Sequence, residues 1–383
     1  MKKIMIAGAG KIGSAIAALL SATPDYDVMV VDASPAALAG LKAGPQVNRQ
    51  ALDITDPLAL RAALSSQFAV LSAAPFHLTT SIAEAAVDQG VHYLDLTEDV
   101  ASTRRVKELA GDARSALIPQ CGLAPGFVSI VAADLCRRFD NLHSVRMRVG
   151  ALPQFPSNAL NYNLTWSTDG VINEYCEPCE SIAHGVLRQV PPLAEHEEFS
   201  LDGVTYEAFN TSGGLGTLCE TLLGHVAHLN YKTIRYPGHA AIMKILLNDL
   251  RLRERRHVLK DLLENALPVT LQDVVIVFVT VSGQREGRLM QETYAHKVYS
   301  QVAGGAMRSA IQITTSAGIC AVLDLLTKGR LPQRGFVRQE DIALSDFLAN
   351  RFGSVYAQNL AEHPAELSAS VKAVDSCVFT PPV

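Results

Sequence analysis

Residues 2–21 read KKIMIAGAGKIGSAIAALLS, and this stretch decides the fold of the first part of the chain. A short apolar run ends at the pattern GAGKIG, residues 8–13, which is followed by apolar residues at helical spacing. A strand, a glycine-rich turn and a helix in this order predict the first βα unit of a dinucleotide-binding sheet. The first glycine permits a tight turn, the second lets the backbone approach a pyrophosphate, and the third lets helix and strand pack closely.

The same alternation of apolar runs and helical patterns continues to about residue 118. It pairs DVMVVD with SPAALAGLKA, FAVLSAA with TTSIAEAAVDQG, and HYLDL with ASTRRVKELAG. Strands that alternate with helices predict a doubly wound parallel sheet. From about residue 146 longer strand-like stretches, such as DVVIVFVTVSG, predict a second, mostly antiparallel sheet with helices. The pattern is helical again from about residue 310, and we expect this segment to return to the first domain.

Further residues at the predicted strand ends suit a bound adenine dinucleotide. Asp32 ends the second strand, where a carboxylate meets the ribose hydroxyls of NAD and repels the 2′-phosphate of NADP. NAD is therefore the predicted cofactor, and Ser34 keeps NADP open as the alternative. The predicted cofactor-binding residues are Gly8, Gly10, Lys11, Ile12, Gly13, Asp32, Asp53 and Ile54 beside the adenine, and Ala73, Ala74 and Pro75 beside the nicotinamide ribose. The competing interpretation is a degenerate turn of the same shape that binds nothing.

Composition narrows the class of protein. The 383 residues include 33 Lys and Arg against 38 Asp and Glu, a net charge of −5 that argues against a nucleic-acid partner. With 48% hydrophobic and 19% charged residues the chain has enough apolar material for packed cores, and no membrane segment or export signal is expected. Seven scattered cysteines predict a reducing, cytoplasmic setting. The pair Cys176 and Cys179 has no second pair nearby, so no metal site is expected.

Seven segments, taken in order, resemble the saccharopine dehydrogenase family in its reductase branch, and within it the lysine 6-dehydrogenases. They are residues 8–13, 73–99, 121–132, 165–175, 211–222, 231–239 and 335–341. The resemblance implies a Rossmann domain at residues 1–125, an inserted α/β substrate domain at 126–308, and a helical return onto the first domain at 309–383. It also implies NAD-dependent oxidation of the ε-amine of L-lysine to 2-aminoadipate 6-semialdehyde. A homodimer or homotetramer is expected.

An amino-acid substrate of this kind needs a cation or a set of backbone amides for its carboxylate. Arg235 and the glycine-rich turn that begins at Thr211 are the candidates for this task. A structural ion pair for the arginine and an ordinary capped loop for the turn are the competing interpretations.

Oxidising an amine also needs an acceptor for the ammonium proton, because only the free amine can stabilise the developing positive charge. His239 opens a predicted helix and is the candidate base, and His225 and His77 are weaker ones. Asp95 and Glu98 follow a parallel strand and are candidates for binding the substrate ammonium. Trp166, the single tryptophan, is a candidate wall for the aliphatic stem. Helix capping and core packing are the competing interpretations.

The sequence is also compatible with two other functions. One is a reductase of the saccharopine or carboxynorspermidine type that couples an amine to a semialdehyde. The other is a dinucleotide-binding protein without catalysis, which acts as a sensor or a partner-binding module.

Overall fold

The computed structural model describes residues 1–357, and the Ala- and Ser-rich segment from residue 358 lies outside the described residues. The first part of the chain alternates strands with helices, as the sequence predicts. In chain order the elements are β1 (Lys2–Ala7), α1 (Lys11–Ser21), β2 (Tyr26–Asp32), α2 (Pro35–Ala39), β3 (Asn48–Ala51), α3 (Pro57–Leu64), β4 (Ala69–Ser72), α4 (Phe76–Gln89), β5 (His92–Asp95), α5 (Val100–Leu109), β6 (Ala116–Ile118) and α6 (Phe127–Cys136).

These six strands pair in parallel in the order β6-β5-β4-β1-β2-β3. The direction in which the chain adds strands changes between β1 and β4. Ligands of doubly wound sheets bind in the crevice at the carboxyl ends of the strands at such a point. The fingerprint turn at residues 8–13 and the loop after β4 therefore border one crevice.

The middle of the chain forms a second, eight-stranded sheet. Its elements, with the short hairpin that follows it, are β7 (Asn141–Pro153), α7 (Thr168–Cys176), β8 (Cys179–Ala183), β9 (Val186–Val190), β10 (Glu197–Leu201), β11 (Val204–Asn210), α8 (Leu218–Leu222), β12 (Val226–Arg235), α9 (His239–Lys244), α10 (Arg256–Ala266), β13 (Asp273–Arg285), β14 (Arg288–Tyr299), β15 (Gln301–Ala303) and β16 (Ala306–Arg308). The main strand order is β10-β11-β12-β7-β13-β14, and only β12 and β7 pair in parallel. The predicted fold class, a doubly wound sheet with a mostly antiparallel second sheet, is confirmed.

The chain then returns to the first sheet through α11 (Ala310–Thr327), β17 (Gly335–Phe336) and α12 (Leu344–Ala349). Helix α11 packs on α1, and β17 pairs with β6 as a seventh parallel strand, which the sequence analysis did not predict. By length and composition α11 is apolar enough to cross a membrane, but 83% of its apolar window is buried inside the protein. It therefore serves here as a core helix.

Strand β13 contributes to the hydrophobic core on both faces of the second sheet. Val277, Val279 and their alternate neighbours belong to the core cluster that also contains α6 and α11, whereas Ile276 packs in a separate cluster on the opposite face. Each fully buried side chain of this size contributes about 1.5–3 kcal/mol. Asp273, at the start of β13, accepts hydrogen bonds from the amides of Ala310 and Ile311 and so fixes the first turn of α11 to this sheet.

Candidate active site

The glycine-rich turn has the geometry that a dinucleotide needs. Gly8 has a φ of +110°, and a Cβ there would lie 2.7 Å from the carbonyl oxygen of Ala73. At Gly13 a Cβ would lie 1.9 Å from the carbonyl oxygen of Gly8, so only glycine permits this close packing. At Gly10 a Cβ would meet nothing within 4 Å, and no side chain caps α1. The helix therefore presents its uncapped N-terminus to open space, where a pyrophosphate fits.

Asp32 supports this turn directly. Its Oδ2 accepts a hydrogen bond from the amide of Ala9 at 2.8 Å, and its Oδ1 accepts one from the amide of Ser34 at 2.8 Å. Further along the crevice, Thr55 donates two hydrogen bonds to Asp53, which lower the pKa of the Asp53 carboxyl. Both carboxylates line the crevice, and within residues 1–357 Oδ2 of Asp53 accepts no hydrogen bond.

One continuous cavity of about 930 Å³ joins this crevice to the second sheet. Of the predicted cofactor residues, Lys11 is exposed and Gly13 is buried in the packing described above, and neither lines the cavity. The predicted cofactor residues that line it are Gly8, Gly10, Ile12, Asp32, Asp53, Ile54, Ala73, Ala74 and Pro75. The same cavity reaches Glu98, Trp166, Glu174 and Arg235.

The floor of the far end of the cavity is one face of the second sheet. Tyr231, Thr233 and Arg235 alternate along β12, and Val149 and Ala151 alternate along the neighbouring β7. Since side chains point to opposite faces at successive positions of a strand, this alternation places all five on one face.

Among these five residues Arg235 is the cation, and its side chain is buried at 3% exposure. Its Nε donates to the Tyr175 hydroxyl at 2.9 Å, and its Nη1 donates to the Thr233 hydroxyl at 2.7 Å. Its guanidinium carbon also lies 5.1 Å from the centre of the Tyr162 ring, within cation–π range. Within residues 1–357 no group accepts a hydrogen bond from Nη2. The guanidinium is therefore fixed on one side and has a donor available for a ligand.

Two carboxylates, Glu98 and Glu174, line the same end of the cavity. Burial raises the pKa of Glu174 to about 8, with a further increase from the charge of Glu98 and a partial decrease from Arg235. Burial also raises the pKa of Glu98 to about 7. Glu174 is 7% exposed, and no donor in the described part of the chain bonds its carboxylate. A buried carboxylate without a hydrogen-bond donor is stabilised in its ionised form by a cationic ligand.

Helix α7 presents a stripe of residues to the cavity. Gly170 and Glu174 are one turn apart on it, and Trp166 lies just before its first turn. A Cβ at Gly170 would lie 2.3 Å from the Trp166 ring and 3.3 Å from Oε1 of Glu98. The absence of a side chain at Gly170 thus lets the indole ring and the Glu98 carboxylate approach the same point of the helix.

The structure places His239 behind this site. It is 1% exposed and does not line the cavity. Its Nδ1 donates to the carbonyl of Leu160 at 2.9 Å, which leaves Nε2 to accept from the Tyr175 hydroxyl at 3.1 Å. Burial, together with the charge of Arg235, lowers the pKa of His239 to about 3. The ring is therefore neutral and supports Tyr175, and through it Arg235. Of the weaker candidates, His77 lines the cavity and His225 does not.

Asp95 and Thr211 also lie outside the cavity lining. Asp95 is 1% exposed and accepts hydrogen bonds from Tyr93 and from the amides of Thr97 and Gln120, so it fixes the loops after β5 and β6. Thr211 is 2% exposed, and its hydroxyl has no partner among the described residues. The glycine-rich turn after it packs on the backbone of Glu98, because a Cβ at Gly213 would lie 2.4 Å from the Glu98 carbonyl oxygen.

Sequence reasoning missed Glu174, Tyr175 and the cavity-lining loop at residues 122–125. The helical spacing of Trp166, Gly170 and Glu174 was a readable signal, since an acidic residue on a buried helix face needs a partner. At the cavity mouth Arg256 pairs with Glu177, and Lys260 pairs with Asp169. Within residues 1–357 no group of three or more His, Cys, Asp or Glu is arranged to hold a metal ion.

Comparisons with known proteins agree with this arrangement. A model of the saccharopine dehydrogenase NADP binding domain matches residues 4–118, and a model of the saccharopine dehydrogenase C-terminal domain matches residues 122–353. The mitochondrial alpha-aminoadipic semialdehyde synthases of Mus musculus and Rattus norvegicus are each 22% identical over 196 residues. That stretch is 49% of this chain and 21% of each relative, so the chain matches only about a fifth of their length.

Two solved structures share the overall fold. The apo saccharopine dehydrogenase (L-Glu forming) from Saccharomyces cerevisiae has a TM-score of 0.73 at 16% identity, over 91% of this chain and 97% of that one. The homospermidine synthase from Legionella pneumophila, in complex with NAD, has a TM-score of 0.65 at 14% identity, over 94% and 90%. With both domain models matched in order, the chain belongs to the saccharopine dehydrogenase family, whose first domain binds a nicotinamide dinucleotide.

Proposed function

We propose that the protein is an NAD-dependent dehydrogenase that oxidises the ε-amine of L-lysine to 2-aminoadipate 6-semialdehyde with release of ammonia. The observation that carries this proposal is the cavity that joins the dinucleotide crevice to the buried Arg235 and to two carboxylates, the buried Glu174 and the half-buried Glu98. An arginine matches the carboxylate of a free amino acid, and the two glutamates match its amino groups.

The chain contributes binding and proton transfer to this reaction. NAD, when bound, accepts the hydride. Arg235 binds the substrate carboxylate through Nη2, while Tyr175 and His239 hold the guanidinium in place. Trp166 walls the cavity beside Glu98 and covers the aliphatic stem. A free amine must form before the hydride leaves its carbon, and a carboxylate with a pKa near neutrality is suited to take that proton.

NAD is proposed over NADP because the Asp32 carboxylate lines the crevice at the end of β2, where we expect it to face the adenosine ribose and to repel a 2′-phosphate. The matched family model is that of an NADP binding domain, and a direct measurement distinguishes the two cofactors. Initial rates with each cofactor at equal concentration give this comparison.

The experiment for the reaction uses L-lysine that carries ¹⁵N only at the ε position. We expect NADH to form at 340 nm and the label to appear in ammonium in equal amount. Absence of NADH, or release of unlabelled ammonium from the α position, would contradict the proposal. The variant Glu108→Gln serves as the control, because Glu108 is an exposed residue on α5 outside the cavity.

A second candidate is a reductase that joins an amine to a semialdehyde. It is favoured by Arg256 and Lys260, which place two more cations at the cavity mouth, where a second substrate's carboxylate can bind. Both cations already pair with carboxylates of the chain, at 2.6 Å in each case, which is why this function ranks second. It predicts oxidation of NADH or NADPH only when an amino acid and a semialdehyde are both present.

A further inference from the structure

The substrate end of the cavity holds Arg235 and two glutamates at different positions along α7. Oε1 of Glu98 lies 3.3 Å from the place of a Cβ at Gly170, in the first turn of the helix. Arg235 instead donates to the hydroxyl of Tyr175, the chain neighbour of Glu174 near the end of the helix. Arg235 and Glu174 therefore lie toward one end of α7, and Glu98 lies toward the other.

The position of Glu98 relative to the first sheet indicates which of the three side chains, Arg235, Glu174 or Glu98, lies nearest the nicotinamide. Glu98 follows the end of β5, and β5 pairs with β4 so that Asp95 lies beside Ser72. The loop after Ser72 is the one expected to border the nicotinamide ribose, and it lines the same cavity. Glu98 is thus the carboxylate next to the reacting carbon, and Arg235 is the group farthest from it.

The positions of the two glutamates along α7 suit a diamino acid. Oε1 of Glu98 lies beside Gly170, and Glu174 is four residues further along α7, a rise of about 6 Å. The two nitrogens of an extended lysine are roughly 7 Å apart, across six bonds of about 1.5 Å each. A substrate with one amino group beside its carboxylate and a second at the end of such a stem meets both glutamates.

We infer that the two glutamates have separate tasks on a substrate that carries two amino groups. Glu174 binds the α-ammonium beside the carboxylate held by Arg235, and Glu98 takes the proton from the terminal ammonium that is oxidised. This assignment rests on the proposed function. It defines the substrate class as α-amino acids with a terminal amine about four methylenes away.

The bonds and charges of the reaction balance with these two residues. An N–H bond of the terminal ammonium breaks, its proton goes to the Glu98 carboxylate, and the nitrogen regains its lone pair. The carbon then loses a hydride to NAD, and the lone pair forms the C=N bond of an iminium ion, which carries the positive charge. Water adds to that carbon, the C–N bond breaks, and the nitrogen leaves as ammonium. Glu98 releases its proton to solvent, which accounts for the one proton that the overall reaction produces.

Glu174 is suited to bind a permanently charged ammonium group. It is 7% exposed and lines the cavity, and within residues 1–357 no group donates a hydrogen bond to its carboxylate. An α-ammonium supplies both the donor and the opposite charge that this carboxylate lacks. Binding of the ammonium favours the ionised form of Glu174, so this carboxylate is charged when the substrate is present.

The test compares Glu174→Gln and Glu98→Gln on L-lysine and on 6-aminohexanoate, which has the terminal amine and the carboxylate but no α-amino group. For Glu174→Gln we expect KM for lysine to rise roughly 10- to 100-fold, the loss typical of a hydrogen bond between charged groups. KM for 6-aminohexanoate should change by less than about twofold, since that molecule makes no contact with Glu174. Equal effects on the two substrates would overturn the assignment of Glu174.

For Glu98→Gln we expect kcat to fall by roughly 10²- to 10⁴-fold with both substrates, the range for loss of a general base. The acidic limb of the pH profile of kcat should also disappear. An unchanged kcat or an unchanged acidic limb would overturn the assignment of Glu98. The exposed-site variant Glu108→Gln should match the wild type in all these measurements.

Substrate binding is measured separately from turnover. Trp166 is the single tryptophan and lines the cavity, so its fluorescence reports lysine binding directly. We expect the affinity for lysine to fall in Glu174→Gln and to stay within about threefold in Glu98→Gln. If the wild type oxidises no amine, the proposed function and the proton transfer to Glu98 both fail, whereas the titration still decides the role of Glu174.

Discussion

Replacing Glu174 by Gln should make the protein more stable at alkaline pH. Burial raises the pKa of this carboxyl from an ordinary 4.5 to about 8 in the folded protein. A group whose pKa is raised by folding contributes fully to stability below its unfolded pKa, and this contribution is lost as the pH rises through the folded pKa. The stability of the wild type should therefore decrease between about pH 5 and pH 9, and glutamine, which does not ionise, should remove this decrease.

The expected gain in the free energy of unfolding follows from the pKa shift of Glu174. A change from 4.5 to about 8 is about 3.5 pKa units, and at 1.36 kcal/mol for each unit this gives roughly 5 kcal/mol as an upper value. Relaxation around an ionised group reduces such a cost, so we expect a gain of about 2–4 kcal/mol for Glu174→Gln at pH 9. Near pH 5 the two proteins should differ by less than about 1 kcal/mol, because the wild-type carboxyl is then mostly protonated.

The assay is urea unfolding followed by far-ultraviolet circular dichroism at intervals from pH 5 to pH 9. The matched control is Glu108→Gln, whose carboxylate is exposed and which should stay within about 0.5 kcal/mol of the wild type throughout. Parallel stability curves for the wild type and Glu174→Gln would refute the reasoning. The same variant should bind lysine less well, so stability and function change in opposite directions at this residue.

Three further predictions concern the cofactor turn and the support of Arg235. Asp32→Ala should raise KM for NAD and increase the use of NADP, and unchanged cofactor kinetics would remove Asp32 from ribose binding. Gly13→Ala should abolish dinucleotide binding measured by calorimetry, because its Cβ would lie 1.9 Å from the Gly8 carbonyl oxygen; retained affinity would contradict the packing role of Gly13. His239→Gln should raise KM for lysine by loosening Tyr175, without moving the pH profile between pH 5 and 9, since the pKa of His239 is already about 3. A shifted profile would indicate that His239 transfers a proton itself.

The fold was readable from the sequence because its signals are local. Apolar runs alternate with helical patterns, and the glycines at residues 8–13 each have a backbone reason that depends on near neighbours. The return strand β17 was not readable, since its two residues acquire meaning only when they lie beside β6. Its pairing joins residues more than 200 positions apart in the chain.

The substrate end of the site was harder to predict from the sequence, because its residues come together from distant parts of the chain. His239 has the sequence context of a base, yet its ring bonds Tyr175 from a different helix and does not line the cavity. Conversely, the only local signal for Glu174 is its helical spacing with Trp166 and Gly170. Its importance comes from burial near Glu98 and Arg235, which belong to another loop and another strand. Such a cluster is visible only after the chain has folded.

In the proposed reaction the cavity brings the terminal carbon of lysine to the nicotinamide. The most direct measurement uses lysine with two deuterium atoms on the carbon that bears the ε-amine, together with unlabelled NAD. We expect reduced cofactor that is one mass unit heavier by mass spectrometry, because the transferred hydride comes from that carbon. Reduced cofactor without deuterium, or no reduced cofactor at all, would contradict it.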